Sequence, residues 1–565
     1  MIGESEVSSI LSISQTMFDE KRAWNEFAQE ACEYYYPVRA SYTSANPIGP
    51  DFASNVMDSH TVNVREELGN AIGSMLRQDQ WFDIGTGDEE RDTDIENARS
   101  LRHATKLFRA VLKDRRSGFE AATKEGDHDW VSVGQPVFSV AETADRDFVM
   151  VKAWHPGSCA WLVGENGRPT TLHRKISMRA GEIIRYARTG RWTNIDTAIE
   201  IAAVKEPNKK FDILHVMMSA DEVYGFDGAK MRELRGKKYL SLYIDTTHKK
   251  VLRETGEPLF MYVTPAWRRL AGMNYGFSPS AINALPDARM IQALARIILE
   301  QGEKAVDPPM IGDVETFTRD QNLYSGGFTY VDLPEGRALQ DVMTTINTSQ
   351  GLQQGMELKQ DIRALISDAF LLNKLYLPSA RDMRELEVAV RTEEFRRAAL
   401  PFFTPIETEY HTPLLEEIFN RSLMMGIIDP NVFPRELRDT DLHFTFNSPL
   451  REAEGKKLVE SYNVAVQTIA AGSQVDQTVG NLFNMRRATL DAVRGGGAPP
   501  EWLLSPKEIK AKDQEADQTK ALAQAAAIAN AGAATVGNVA DAAQAAQQSG
   551  MFGGPTPQPG PATGQ

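Results

Sequence analysis

The sequence predicts an α+β chain made of several structural units. Three observations predict it. At 565 residues the chain is longer than one hydrophobic core usually organises. Stretches near both ends repeat apolar residues at helical spacing. Two stretches between them alternate Val, Ile, Phe and Tyr between Gly-rich turns, as antiparallel strands do.

The elements follow in order. Residues 10–36 read as one helix with Leu11, Phe18, Trp24, Phe27 and Ala28 apolar, ended by "YYYPVR". A second helix over roughly 63–78 leads into "DQWFDIGTGD", a short strand and turn. Residues 97–124 read as a helix with Arg99, Arg102, Lys106, Arg109, Lys113, Arg115 and Arg116 along one side. That side is a solvated face or a contact to a subunit or nucleic acid. Residues 130–185 turn β-rich, a short helix follows near 178–187, and "FDILHVMMS" with "KKYLSLYIDTTHKKVLRETGEPLFMYV" makes a second small β unit.

The stretch from Gly272 to Met310 raises the main chemical question, because Gly276-Phe277-Ser278 begins like a hydrolase G-x-S elbow. An elbow needs a second glycine two residues after the serine, and Ser280 stands there. Ser278 is better placed to cap a helix, with Pro279 at the first helical position. Pro286 is expected to kink or restart that helix. Ile291, Leu294 and Ile298 form one apolar stripe, with Gln292 off it, and Asp307-Pro308-Pro309 stops the run. Further helices are expected over 351–373, with Leu358, Ile362, Leu365, Ala369 and Leu372 on one face, and over 382–400, 406–425 and 452–495. After about 507 the composition turns Ala/Gln-rich, and the last residues, "GGPTPQPGPATGQ", read as a disordered tail.

Nothing in the motifs argues for catalysis, a cofactor or a metal. The sequence has no G-x-x-x-x-G-K-[ST] and no H-x-H or H-x-x-x-H pair. His155 and Cys159 are separated by Pro156 and Gly157, which deny them a shared helix face. The acids and imidazole of "EGDHDW" (125–130) read as a solvated turn. Cys32 and Cys159 make no disulfide framework, which points to a reducing compartment. No apolar run reaches membrane-spanning length, and the first residues lack the pattern of a signal peptide. The net charge of −15 opposes a surface that grips nucleic acid broadly. It would suit a wall past which phosphates slide.

The stretch from 272 to 310 resembles the head-to-tail connector (portal) family of short-tailed bacteriophages. Its carriers are Tyr275-Gly276, Ser278-Pro279, Ala284-Leu285-Pro286-Asp287 and Val306-Asp307-Pro308-Pro309. The likeness continues in order through "MDSHTVNVREELGNAIGSMLRQDQWFDI", through Glu387-Val388, Arg391 and Glu394, and into "FNSPLREAE". It spans about residues 20–500. One departure is Arg384-Glu385-Leu386, where the family commonly has Thr-Ala-Thr.

The resemblance implies a portal-type subunit with no catalytic site. About twelve copies would close into a ring at one capsid vertex. Double-stranded DNA would be packaged and ejected through it, without sequence specificity. The implied partners are the chain itself, the major capsid protein and scaffold, the terminase packaging motor and a tail adaptor, with no membrane. Assembly is expected in the host cytoplasm. The implied layout is wing over 1–177, a first stem helix at 178–190, a clip-like β unit at 191–270 and a second stem helix at 278–304. A β segment and channel loop would follow at 305–350, wing helices at 351–450, crown and Ala-rich helix at 451–530, and a disordered tail at 531–565. Ile291, Leu294 and Ile298 would pack the stem. The nearest competing reading is a scaffold or other structural virion protein without a DNA channel.

Overall fold

The computed structural model describes residues 4–219 apart from a few loop positions, and residues 237–306, 310–312, 336, 343–345 and 352–372. It also describes 404–446 apart from several loop positions, 449–473, 484–495 and scattered positions from 509 to 523. The elements run α1 (Glu4–Glu20), α2 (Arg22–Tyr35), α3 (His60–Leu76), β1 (Phe82–Gly85), α4 (Ile95–Lys113), α5 (Phe119–Ser132), β2 (Val137–Glu142), β3 (Val149–Trp154), β4 (Cys159–Val163), β5 (Pro169–Arg179), α6 (Ala180–Arg188), α7 (Thr197–Lys205), β6 (Lys210–Ser219), β7 (Tyr239–Asp245), β8 (Lys250–Glu257) and β9 (Tyr262–Val263). Then come α8 (Pro279–Val306), β10 (Met310–Gly312), β11 (Met343–Thr345), α9 (Leu352–Ala369), a π turn at Ile406–His411 leading into α10 (Thr412–Met424), β12 (His443–Phe446), α11 (Pro449–Ser473) and α12 (Met485–Gly495).

The chain divides into two compact units, residues 1–85 with 101–457, and residues 86–100 with 458–565. In the second unit the Tyr462 and Thr489 hydroxyls meet at 2.8 Å, tying the later part of α11 to α12. The first unit carries the main core. Val64, Leu68 and Ile72 of α3, Phe108 of α4, Trp130 of α5, Ile291 of α8, Ile366 of α9 and Ile418 of α10 all lie in it, fully or almost fully buried. Strands β4-β5-β6-β7-β8 form one antiparallel sheet, and β3-β2-β9 another. Helix α1 lays Val7 and Ile10 against Leu214, Leu240 and Leu242 of the larger sheet.

Several expectations are corrected. The 10–36 run is two helices, because Lys21 interrupts it. The 97–124 run breaks at Asp114, whose carboxylate accepts the Arg116 N–H at 2.8 Å, and at Gly118, whose φ of 62° ends the turn. Residues 125–132 are helix, neither a turn nor a strand. Asp127 and Asp129 there are buried.

The short helix expected over 178–190 covers only Ala180–Arg188, and Met178 and Arg179 belong to β5. Strand β5 runs across residue 177 and pairs with β6 from Leu172↔Met217 to Arg179↔Lys210. One sheet therefore joins residues assigned to the wing with residues assigned to the clip. Helix α7 has no counterpart among the elements expected from sequence. Pro286 lies inside an uninterrupted 28-residue helix. On α9, Ile362 and Ile366 mark the buried side, continued by Phe370 just past the helix end, whereas Leu358 and Leu365 are exposed. Helix propensity and period alone cannot tell which stripe of a two-faced helix meets the core.

Candidate functional site

The turn at 274–278 is built into the first unit by contacts from four directions. The Gly276 N–H donates to the Gln135 side-chain oxygen. The Gly276 carbonyl accepts the Trp24 indole N–H at 2.7 Å. Trp161 donates its ring N–H to the Asn274 carbonyl at 3.1 Å. The Ser278 hydroxyl donates to the Val131 carbonyl at 2.7 Å and accepts the Ala281 N–H at 3.2 Å.

Ser278 thus caps α8, as its sequence position suggests. It is fully buried, and its proton goes to a main-chain carbonyl of α5. That is a structural joint and no nucleophile geometry. Gly134 makes the joint possible: its φ is +81°, and a Cβ there would come within 2.1 Å of the Phe277 carbonyl carbon. Gly276 is held in the same way, since a Cβ would approach the Ala266 methyl to 2.6 Å.

Tyr275 closes an aromatic cage around Lys21. The Lys21 ammonium lies 4.6 Å from the Trp24 and Trp161 ring centres and 5.1 Å from that of Tyr275. It donates to the Pro156 and Cys159 carbonyls at 2.5 and 2.6 Å. Burial pulls its pKa down to about 7, while the carbonyls and ring faces favour the cation. Lys21 therefore ties the α1–α2 junction to the start of β4. Nothing in the sequence marks Lys21. A lysine inside a single amphipathic helical run is usually exposed, and only the folded chain brings three rings to it.

Helix α8 continues from this joint. Ala281, Ala284, Ala288 and Ala295 are buried, and Asp287 follows Pro286 in the same helix. Small side chains at helical spacing let neighbouring helices approach closely. Ile291 is fully buried in the core, and Leu294 packs against it half-buried. Ile298 is also half-buried, and its side chain lies beside Gly355 of α9, 3.3 Å from where a Cβ would stand. The stripe Ile291, Leu294 and Ile298 thus meets the chain's own core and α9. The exposed large apolar residues of α8 are Ile282, Met290, Ile297, Leu299 and Val306, and those of α9 are Met356, Leu358 and Leu365.

A polar joint fastens α8 to the rest. Gln292 is buried, and its side-chain oxygen accepts the Met57 and Asp58 N–H groups at 2.6 and 2.8 Å. Its amide nitrogen donates to the Asp58 carbonyl at 2.9 Å. The Asp58 carboxylate accepts from Lys359 at 2.7 Å, from Arg363 at 2.8 Å and from the His60 N–H at 2.8 Å. Burial opposes its ionisation, but the bonds from Lys359, His60 and Arg363 outweigh that and hold its pKa below the ordinary value. By sequence Gln292 lies off the apolar stripe and looks free. It is a buried key, recognisable only with Asp58 and α9 beside it.

A second polar group lies in "EGDHDW". Asp129 pairs with Arg39 through both oxygens, at 2.9 and 2.6 Å, and Arg39 reaches Glu125 at 2.6 Å. Asp127 pairs with Arg77 and accepts the Tyr410 hydroxyl at 3.0 Å. Burial raises the Asp127 pKa above its ordinary value and that of Asp129 to about 6, outweighing the paired arginines that favour both carboxylates. His155 is used structurally: its Nδ1 accepts the Gly157 N–H at 3.0 Å, and its Nε2 lies 3.1 Å from the Arg39 carbonyl. Among the described residues no three His, Cys, Asp or Glu side chains converge as metal ligands, and no helix is long and apolar enough to cross a membrane. Asp307, Pro308, Pro309, Arg384, Glu385, Leu386, Arg391 and Glu394 lie outside the described residues.

Comparison with known proteins gives the family. A probable portal protein of Bordetella phage BPP-1 is 24% identical over 561 residues, covering 95% of each chain. A portal protein of Salmonella phage epsilon15 is 22% identical over 413 residues, covering 68% of this chain and 69% of the relative. A solved chain from the neck of an empty gene transfer agent particle is 11% identical. That match covers 76% of this chain and 94% of the other at a TM-score of 0.35, too slight a likeness to define the fold. The family model for the bacteriophage head to tail connecting protein matches residues 7–504. With nearly the whole chain matched, the protein belongs to the bacteriophage head to tail connecting protein family.

Proposed function

We propose that this chain is the subunit of a phage portal, a ring at one capsid vertex through which double-stranded DNA is packaged and ejected. The family match over residues 7–504 carries the reading. The subunit adds a physical reason for association. Helices α8 and α9 pack along each other, yet both keep large apolar side chains on their outer faces: Met290, Ile297 and Leu299 on one, Met356 and Leu365 on the other. A second copy would cover such faces.

In this reading α8 is the second stem helix, the segment 178–190 that holds α6 is the first, and α9 belongs to the wing that packs along α8. The copies would number about twelve. Capsid protein and scaffold, a terminase motor and a tail adaptor would dock on the ring, and it would work without catalysis of its own. The net charge of −15 per chain supports a channel that repels phosphate and lets DNA pass.

Negative-stain imaging of the purified full-length chain tests the proposal. Closed rings with a central hole are expected. A monomer at micromolar concentration across all salt conditions would sink it, and a closed shell would favour the scaffold or coat reading.

A further inference from the structure

Helix α4 carries a basic row that the joints above do not use. Arg102, Lys106, Arg109 and Lys113 follow one another at helical spacing along about 16 Å of axis. The row leads into a cleft of about 290 Å³ between the end of α3, α4 and α5, where Arg77, Arg109, Lys113 and Lys124 stand in the wall.

The acids nearby are already engaged, except one. Asp83 holds one side of Arg109 at 3.0 Å, Asp79 meets Lys113 at 2.5 Å, and Asp127 is consumed by Arg77. Glu120 lines the cleft. Lys106 and Lys124 are exposed and form no ion pair among the described residues. One buried guanidinium nitrogen of Arg102 and the Nε of Arg109 have no acceptor. The positive charge is therefore incompletely cancelled within the subunit. The Lys113–Asp79 pair is surface-exposed, and such a pair exchanges readily for another anion.

We propose that this row and cleft form a docking face for the phosphate backbone of double-stranded DNA, with Lys106, Arg109, Lys113 and Lys124 as its phosphate contacts. A straight line of cations fits a regularly spaced polyanion, and guanidinium edges suit phosphate oxygens. The face is a local exception in a chain of net charge −15, so it would hold DNA at one place while the remainder repels it. The choice of DNA as occupant rests on the portal reading.

The test uses the full assembled chain and a labelled, relaxed double-stranded DNA minicircle, which cannot thread a closed ring. Four phosphate contacts predict that affinity falls about 150-fold between 50 and 200 mM salt. The triple variant Lys106→Gln, Lys113→Gln, Lys124→Gln leaves one contact, and its affinity should fall only about 3-fold over that range. A control triple, Lys205→Gln, Lys209→Gln, Lys249→Gln, removes the same charge from exposed positions on α7 and on turns beside the larger sheet and should behave as wild type. Imaging the same samples reports ring formation separately.

Rings whose minicircle binding is unchanged by the first triple, or is lost with the control triple, would overturn the inference and leave the portal reading standing. Binding of labelled polyglutamate in place of the minicircle would also overturn it, in favour of an acidic protein partner. Absence of rings would instead count against the portal reading.

Discussion

Replacing Gln292 with Leu should open the joint between α8 and the loop before α3. The substitution keeps the approximate volume and removes three hydrogen bonds at once. Two main-chain N–H groups, of Met57 and Asp58, lose their acceptor, and the Asp58 carbonyl loses its donor. Each buried group left unpaired costs about 1–3 kcal/mol. The added apolar burial of Leu returns about 1–2 kcal/mol. A net loss of about 3 kcal/mol corresponds to roughly a 150-fold shift in the local opening equilibrium.

Native-state hydrogen exchange is the appropriate assay, because a chain with two compact units need not unfold in one step. Amides at 57–60 and along the middle of α8 should exchange on the order of 100-fold faster in the variant. The exposed neighbour Ala293→Glu should leave those rates within a few-fold of wild type. If Gln292→Leu exchanges like the Ala293 variant, the joint contributes little and the reasoning fails.

Other outcomes follow from the same geometry. Leu294→Asp puts a carboxylate against the core and should cost several kcal/mol. Ring counts should collapse for it and stay near normal for Ala293→Asp. Gly134→Ala places a methyl into the main chain at Phe277 on a left-handed backbone, so soluble yield should drop sharply. Ser278→Ala loses the cap and the bond to Val131, about 0.5–2 kcal/mol, and should lower the melting temperature slightly while rings still form.

The depressed Asp58 carboxyl contributes stability that is complete above about pH 4, the unfolded value. That contribution disappears as pH falls through the lower folded value. An Asp58→Asn variant should therefore lose stability at neutral pH and show a flatter acid limb in unfolding experiments. Lys21 acts in the opposite range. Its folded pKa of about 7 lies below the unfolded value of 10.5, so the unfolded chain binds more protons in between and stability should rise with pH from 7 to 10.5. Lys21→Met should flatten that rise in unfolding midpoints.

The sequence by itself determined the mixed class, the cap at Ser278, the proline-started helix and the order of family motifs. These are local matters: Ser278 and Pro279 act on the turn they occupy, and strand alternation reports a half-buried pleat wherever the strand finally pairs. Tertiary structure alone decided the rest. "EGDHDW" looks solvated because acids cluster there, yet Arg39 and Arg77 arrive from other segments and offset part of the cost of burying Asp127 and Asp129. Pro286 is compatible with a continuous helix because α8 is held along its length by the core and by α9. Gln292 and Lys21 carry no periodic signature, and their roles depend on partners more than 130 residues away in sequence. Period and propensity describe a segment, whereas partnership across such separations exists only once the chain has closed.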